Sequence, residues 1–468
     1  MIGTGVFTSL GFQLIDIQSA PVIMMPWLVG GISALCGALS YAELGAALPR
    51  TGDKYHFLNE IYHPCAGFIS GWVSATVGVA APTALAALTF GSYLNSSGLH
   101  VDPLWLATLA IVSRTAAHCS NHRRSGETQT SFTAVKILLI IGFSLAALAL
   151  SPTDKQAEFA WTEDVAATLG SGAFAVSLIY VNYAYSGWNA VTYISDELSS
   201  PQRSLPWVLG ISTTLVAGLY CLLNFVFLAV APMEAMTGKV EVGVIAAQYA
   251  FGPTLGVFMG ALLALLLVST ISAMILAGPR VLHRIGQDYP RFAQLAQENQ
   301  DGIPVTAITM QSGLALLFLW TASFEQILVF AGATMALNTF ATVLGVFVLR
   351  WRQPTLPRPF RVSLYPLTPL IFLGITGWTL IYIVLQRPLE ALICAGIIVS
   401  GGVLYLLTRP ATSEWLSSPT PPGLLHFCSP FHHLRIVPPE PNSLLFSVRE
   451  PRYSGHLTQR KPSLGDKK

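Results

Sequence analysis

Residues 255–279 read LGVFMGALLALLLVSTISAMILAGP and contain no charged side chain. A helix of about 20 such residues is long enough to cross the hydrocarbon core of a bilayer. Similar charge-free blocks recur along the 468-residue chain, without the spacing of an amphipathic helix or a half-buried strand. The sequence therefore predicts an integral membrane protein.

The overall composition excludes several classes of protein. Hydrophobic residues make up 53% of the chain and charged residues 10%, whereas an ordinary soluble domain has roughly 25% charged residues. This excludes a soluble enzyme, a disordered chain and a nucleic-acid binder, and a net charge of +2 gives no reason to expect a polyanionic partner. The six cysteines form neither a C-x-x-C pair nor a dense framework, so we expect no disulfide scaffold and no structural zinc.

Hydropathy predicts twelve membrane spans. All should be helical, because an open strand edge would leave backbone groups unpaired in lipid. With the first span running outward, fourteen Lys and Arg residues lie at the cytoplasmic side and only three in the outer loops, which supports an even number of spans. The predicted spans are 2–14, 22–48, 66–94, 104–117, 132–150, 169–191, 208–231, 255–277, 305–320, 327–349, 370–385 and 389–407.

The two ends of the chain differ from the apolar core. The first span is too short to cross a bilayer, and we expect that Met1 is a start placed inside a longer reading frame. The first span has no basic region before it and no small-residue cleavage site after it, so we do not interpret it as a signal peptide. Residues 409–468 carry ten of the thirty prolines and should form a disordered cytoplasmic tail, which is either passive or docks a partner through extended proline segments.

Glycines interrupt two predicted helices at corresponding positions. One interruption is in residues 2–7 (IGTGVF) of the first span and the other in residues 184–189 (AYSGWN) of the sixth. If a five-span unit is repeated, its odd number of spans gives the second copy the opposite topology, which is typical of transporters with a site at the membrane midplane. We therefore expect a first repeat in 1–150, an inverted second repeat in 165–350 and two additional helices in 363–408.

A break in mid-membrane exposes backbone N–H groups with a partial positive charge and carbonyl groups with a partial negative charge. Both kinds of group within a few ångströms suit a ligand that carries a carboxylate and an ammonium group, which is an α-amino acid. For either glycine pair taken alone, close helix packing of the small-xxx-small kind is the alternative explanation.

Five motifs in sequence order resemble the amino acid–polyamine–organocation superfamily, and more closely its L-type amino acid transporter branch. The motifs are residues 2–7 (IGTGVF), 39–49 (LSYAELGAALP), 183–189 (YAYSGWN), 196–206 (DELSSPQRSLP) and 356–362 (LPRPFRV). The resemblance covers residues 2 to about 408 and implies two inverted five-helix repeats followed by two extra helices.

The resemblance also implies roles for residues at the two breaks. Backbone N–H groups of Thr4 and Gly5, which follow Gly3, would hold the substrate carboxylate, with the Thr4 hydroxyl as a further donor. The substrate ammonium would bind the backbone carbonyls of Ile2, Tyr183 and Ser186.

Aromatic residues of the second break and the seventh span are further candidates. Tyr183 stands where the family usually has a phenylalanine that covers the substrate, and its additional hydroxyl would bond the substrate or a gate. Tyr220 matches a seventh-helix tyrosine that lines the substrate path in the family. For Tyr183, Tyr185 and Trp188, ordinary aromatic packing is the alternative, and it is our preferred explanation for Trp188.

Lys136 lies within the apolar fifth span, where a cation is costly. Its stem is long enough to reach the cytoplasmic interface, which is the simpler explanation. The resemblance implies instead that its ammonium occupies the place of a sodium ion and bridges the broken first helix to hydroxyls of the eighth. The candidate hydroxyls are those of Ser269, Thr270 and Ser272, with Ser269 taken as the site residue.

The sequence therefore predicts a secondary active transporter in the cell membrane, a sodium-independent exchanger of neutral L-amino acids that is no enzyme and needs no cofactor or metal. One alternative is a proton-coupled symporter served by Glu43 or a histidine, although Glu43 is better explained as the partner of a loop cation. Another is a non-transporting sensor or scaffold, if the short first helix is genuine. Some members of the branch are joined to a heavy subunit by a disulfide from the outer loop, here residues 95–102. This loop has no cysteine, so we expect no such partner and leave the oligomeric state open.

Overall fold

The computed structural model describes residues 2–48, 53–120, 125–151, 168–197 and 201–408, which contain helices and no strand. Up to residue 151, π-helical turns at Ser74–Val79 and Asn95–Leu99 continue the α-helices Pro64–Val73 and Ala80–Leu94. The helices are α1 (Gly5–Asp16), α2 (Ala20–Ala47), α3 (Asp53–Ile61), α4 (Pro64–Val73), α5 (Ala80–Leu94), α6 (Pro103–Ser120) and α7 (Ser125–Leu150).

From residue 168 onward, the described chain also contains 3₁₀-helices at Trp188–Glu197 and Pro290–Ala296. Its α-helices are α8 (Gly172–Tyr185), α9 (Pro201–Val230), α10 (Met233–Met236), α11 (Val242–Phe251), α12 (Pro253–Ala277), α13 (Pro279–Asp288), α14 (Val305–Thr321), α15 (Phe324–Arg352), α16 (Leu367–Gln386) and α17 (Pro388–Thr408).

Each of the twelve predicted spans corresponds to a helix of the described chain. Eight segments are long and apolar enough to cross a membrane, and the remaining four predicted spans correspond to the shorter helices α1, α6, α8 and α14. The prediction of an all-α fold is therefore confirmed for the described residues. The prediction missed α11, because its 10 residues are too few to give the hydropathy signal of a span.

The interrupted helices lie together in the core. α1 packs along α8, and α2 packs along α9, so helices of both predicted repeats are adjacent. α11 packs against α1, α9 and α12. The repeat boundaries stay a prediction, and the expected tail at 409–468 lies outside the described residues.

The outer surface fits a lipid environment. Leu385 and Leu392, on α16 and α17, are 67% and 70% exposed. Exposed tryptophans lie at or near helix ends, where amphipathic rings suit the interface between lipid and water. They are Trp105, Trp207, Trp320 and Trp351.

Candidate functional site

A cavity of about 310 Å³ lies where α1 begins and α8 ends. Parts of α3, α4, α5, α7, α12, α13 and α15, the π-helical turn Ser74–Val79 and the 3₁₀-helix Trp188–Glu197 also line it. Seven of the predicted site residues line it: Ile2, Gly3, Thr4, Gly5, Lys136, Tyr183 and Ser186.

The first break supplies the start of a helix to this cavity. The chain is not helical at residues 2–4, and α1 begins at Gly5. The Thr4 carbonyl accepts hydrogen bonds from the Phe7 N–H at 2.9 Å and from the Thr8 hydroxyl at 3.1 Å. The first N–H groups of a helix have no partner within it and carry the positive end of its dipole. This end of α1 therefore suits a carboxylate.

The glycines of the two breaks have different structural reasons. A Cβ atom at Gly5 would lie 2.4 Å from the Ala184 Cα, so the close approach of α1 to α8 requires glycine there. Gly187 has a φ angle of +91°, in the left-handed region that favours glycine. Gly5 is therefore explained by close helix packing as well as by the break, whereas Gly187 is needed for the backbone conformation of the break itself.

The second break supplies the end of a helix. α8 ends at Tyr185, and the Ser186 N–H donates to the Tyr183 carbonyl at 3.0 Å. The carbonyl end of a helix carries a partial negative charge, which suits an ammonium group. The Tyr183 hydroxyl interacts with the Thr4 side chain, so the two breaks are linked at the cavity.

Lys136 points into the protein and not toward the interface, which contradicts the simpler explanation of its position. The residue is 4% exposed, and its Nζ donates to Thr270 Oγ1 at 2.8 Å and to the Ile2 carbonyl at 3.4 Å. The ammonium thereby joins the first break to α12. The Ile2 carbonyl, predicted to bind a substrate ammonium, is in contact with the ammonium of Lys136.

The three candidate hydroxyls of α12 have different positions. Thr270 lines the cavity and bonds Lys136. Ser269 is buried next to it and does not line the cavity. Ser272 Oγ lies 2.7 Å from His118 Nε2 on α6.

Tyr220 lies next to the first break and outside the cavity lining. It is fully buried and interacts with the backbone of Gly3. Its ring centroid is 5.1 Å from that of Tyr185, whose hydroxyl donates to the Trp27 carbonyl at 2.9 Å. Trp188 packs edge-to-face against another ring, that of Tyr41, at 4.7 Å.

The sequence prediction missed other residues of the lining. Lys54 of α3 is buried and lines the cavity, but in the sequence it counted only as a loop charge. Asn338 of α15 also lines it, and its Oδ1 accepts from the Ser70 hydroxyl at 2.8 Å, while its Nδ2 donates to Ser74 Oγ at 3.3 Å. A polar amide in an apolar span was a usable signal for Asn338.

Glu43 is held in a network away from the cavity. Arg350 Nε and Nη2 donate to its two carboxylate oxygens at 2.8 and 2.6 Å, and the Val362 N–H donates at 2.7 Å. Arg358 Nε lies 3.6 Å from the carboxylate. Glu43 therefore pairs with cations of the α15 end and the following loop, as predicted for a structural role.

Backbone contacts cover α1 beyond the cavity lining. On the α3 side of the cavity, Lys54 of α3 and the exposed Arg280 of α13 line it. Further along α1, the Gly238 N–H donates to the Gly11 carbonyl at 2.8 Å, and a Cβ atom at Gly11 would lie 2.1 Å from the Lys239 carbonyl oxygen. The loop after α10 thus covers α1 through backbone contacts, and because the first span is predicted to run outward, we call this cover the outer seal.

The elements on the α3 side are joined by a polar contact. The Tyr55 hydroxyl donates to Asp288 Oδ2 at 2.5 Å, and Arg284 Nε lies 3.3 Å from the same oxygen. Burial raises the pKa of Tyr55, and the negative charge of Asp288 adds to this, so Tyr55 stays a hydrogen-bond donor. Within the described ranges, no three His, Cys, Asp or Glu side chains are grouped to hold a metal ion.

A helical membrane bundle in which two interrupted helices border a cavity is typical of transmembrane transporters. The family model described as amino acid permease matches residues 1–403. The chain belongs to this amino acid permease family, which confirms the resemblance noted in the sequence. Because the family consists of transporters, the prediction that the protein is no enzyme is also confirmed.

Curated relatives cover most of the chain. The large neutral amino acids transporter small subunit 2 of Mus musculus is 30% identical over 434 residues, which are 87% of this chain and 78% of that protein. The Asc-type amino acid transporter 1 of Mus musculus is 26% identical over the same shares of the two chains. The b(0,+)-type amino acid transporter 1 of Mus musculus is 25% identical over 451 residues, 94% of this chain and 91% of that protein.

Proposed function

We propose that this protein is a secondary active transporter that exchanges neutral L-amino acids without sodium, by alternating access. The bond between the Lys136 ammonium and Thr270 carries this proposal. The ammonium lies among a backbone carbonyl at a helix break and a hydroxyl of α12, and unwound carbonyls are the groups that hold coupling ions in such transporters. A cation that belongs to the chain removes the need for a sodium ion.

The protein holds the substrate by its carboxylate and ammonium groups, which all amino acids share. The N–H groups of Thr4 and Gly5 bind the carboxylate, and the carbonyls of Tyr183 and Ser186 bind the ammonium. In support, all four residues line the same cavity. A covalently bound cation cannot travel with the substrate, so the cycle gains no energy from an ion gradient, and uptake against a gradient needs a second amino acid leaving in exchange.

Two observations support neutral substrates. The cavity lining includes Lys54, Lys136 and Arg280 and, among the described residues, no acidic side chain that would attract a cationic substrate. A relative with 30% identity is named for large neutral amino acids.

Counterflow in proteoliposomes tests the exchange. Vesicles are loaded with unlabelled neutral amino acids and receive labelled ones outside, without sodium and without a pH gradient. We expect label to accumulate only when amino acid is inside. Accumulation that requires a sodium or proton gradient would contradict the coupling that we propose.

Replacement of Lys136 tests its role. Lys136→Ala should abolish most counterflow, and Lys136→Met, which keeps the length of the side chain, should do the same with little loss of folded protein. Lys239→Ala, at a lysine outside the cavity lining, is the matched control. Unchanged transport by Lys136→Ala would refute the role of the ammonium.

A proton-coupled symporter is the second candidate, because His118 bonds Ser272, two residues from Thr270 on α12. Glu43 is a poor candidate for the proton site, since its oxygens are engaged by Arg350 and by the Val362 N–H. A pH gradient that drives uptake in the wild type but not in His118→Gln would favour this candidate. Loss of all transport activity in a well-folded wild type would favour a sensor or scaffold.

For assembly and location, we propose a multi-pass protein of the cell membrane with a cytoplasmic C-terminus and no disulfide-linked heavy subunit. One relative is named a small subunit. The outer loop 95–102 of this chain has no cysteine to form such a link. Non-reducing electrophoresis from native membranes tests this, and a reducible heavy band that contains this chain would refute it.

A further inference from the structure

Gly78 lies in the cavity wall and has no packing reason to be a glycine. It belongs to the π-helical turn Ser74–Val79 and lines the cavity. A Cβ atom at Gly78 would meet only the Ser74 Cβ and the Val73 carbonyl oxygen within 4 Å, both at 3.8 Å. Its φ angle is not among the positive ones, so the backbone does not require glycine either. π-Helical turns occur frequently at functional sites.

Other glycines of the lining are different. A Cβ atom at Gly5 would lie 2.4 Å from the Ala184 Cα, and one at Gly278 would lie 2.1 Å from the Gln311 amide nitrogen. Neighbouring helices therefore fill the space beside these two glycines. At Gly78 the space is open, and a side chain at this position would extend into the cavity.

The wall around Gly78 is apolar on two elements. Val73, Val79 and Pro82 lie on its own side, and Ala273, Met274 and Ala277 lie on α12. The polar groups of the helix breaks take the carboxylate and ammonium groups, which leaves the apolar wall for the remaining part of the substrate.

We infer that the apolar wall at Gly78 receives the substrate side chain, and that Gly78 sets the largest side chain that the transporter accepts. This inference rests on the proposed function and specifies its substrates as amino acids with bulky apolar side chains. A larger residue at position 78 should therefore impair the transport of large substrates and leave that of small ones unchanged.

The test compares leucine and phenylalanine with alanine in counterflow. One methylene more than a hydrophobic pocket accommodates costs about 10- to 200-fold in kcat/KM. We expect Gly78→Val to lower the leucine-to-alanine ratio of kcat/KM at least about 10-fold, with a smaller decrease in Gly78→Ala. Gly142→Val is the matched control, because a Cβ atom at this exposed glycine of α7 meets nothing within 4 Å.

The outcomes separate this inference from the proposed function. If the wild type exchanges none of the three amino acids, the proposed function fails. If the wild type exchanges them and the ratio is unchanged in Gly78→Val and Gly78→Ala, only the inference is wrong. An equal loss for all substrates in Gly78→Ala also overturns it, since alanine favours a helix more than glycine does and should not impair folding.

Discussion

Replacing Glu43 by alanine should destabilise the protein strongly. The Glu43 side chain is 2% exposed, and its removal leaves the Val362 N–H and two guanidinium groups without their carboxylate. Breaking a buried ion pair by removing one partner costs about 3–5 kcal/mol. The Arg350 side chain is 22% exposed and can regain water, whereas that of Arg358 is 6% exposed. We therefore expect a loss at the lower end, about 3 kcal/mol.

Thermal unfolding of the detergent-solubilised protein, with Glu43→Gln and Glu60→Ala beside Glu43→Ala, measures this loss. Glutamine keeps the shape and one acceptor, so we expect a smaller loss of about 1–2 kcal/mol. Glu60 is exposed on α3, and its replacement should change stability by less than about 0.5 kcal/mol. A cycle with Arg350→Ala isolates the pair, because residues in contact give non-additive effects.

Two results would refute this reasoning. One is a Glu43→Ala protein that unfolds like the Glu60→Ala control. The other is a Glu43→Gln protein of unchanged stability that has lost a pH dependence present in the wild type, since the carboxylate would then serve proton coupling and not structure.

Further substitutions address the outer seal and the cavity. Gly11→Ala would place a Cβ atom 2.1 Å from the Lys239 carbonyl oxygen, so the seal should open and stability should fall by about 1–3 kcal/mol. When Gly11→Ala is combined with Thr4→Cys, a cysteine reagent added outside should react faster than with Thr4→Cys alone. An unchanged rate would contradict the seal. Tyr183→Phe removes the hydroxyl that interacts with Thr4. It should free the Thr4 hydroxyl for the substrate and lower KM by about 2- to 10-fold, whereas a raised KM would mean that the Tyr183 hydroxyl binds substrate itself.

The helices were largely predictable because their signal is local. A charge-free run of the right length defines a span by itself, and all twelve predicted spans correspond to helices. α11 was missed because 10 residues fall below that length. The break in the sixth span was also predictable, since Gly187 is the residue that adopts the positive φ angle.

The site was predictable only in part, because it depends on how the helices face one another. The sequence offered three hydroxyls on α12 for Lys136, and the rotation of α12 against α7 brings the hydroxyl of Thr270 within hydrogen-bond distance of it. In the same way, the rotation of α9 places Tyr220 next to Gly3 and outside the cavity lining. Lys54 enters the lining from a segment with no apolar pattern, so no local signal indicated it.

The outer seal has a consequence for how freely this region can vary in evolution. Its hydrogen bond joins the Gly238 N–H to the Gly11 carbonyl, and the carbonyl oxygen of Lys239 occupies the space beside the Gly11 Cα. All of these atoms are backbone atoms, which every amino acid possesses. Drift in the side chains of the loop should therefore leave the closure intact, while selection acts on Gly11, which has no room for a Cβ atom, and on Gly238, whose φ is +69°.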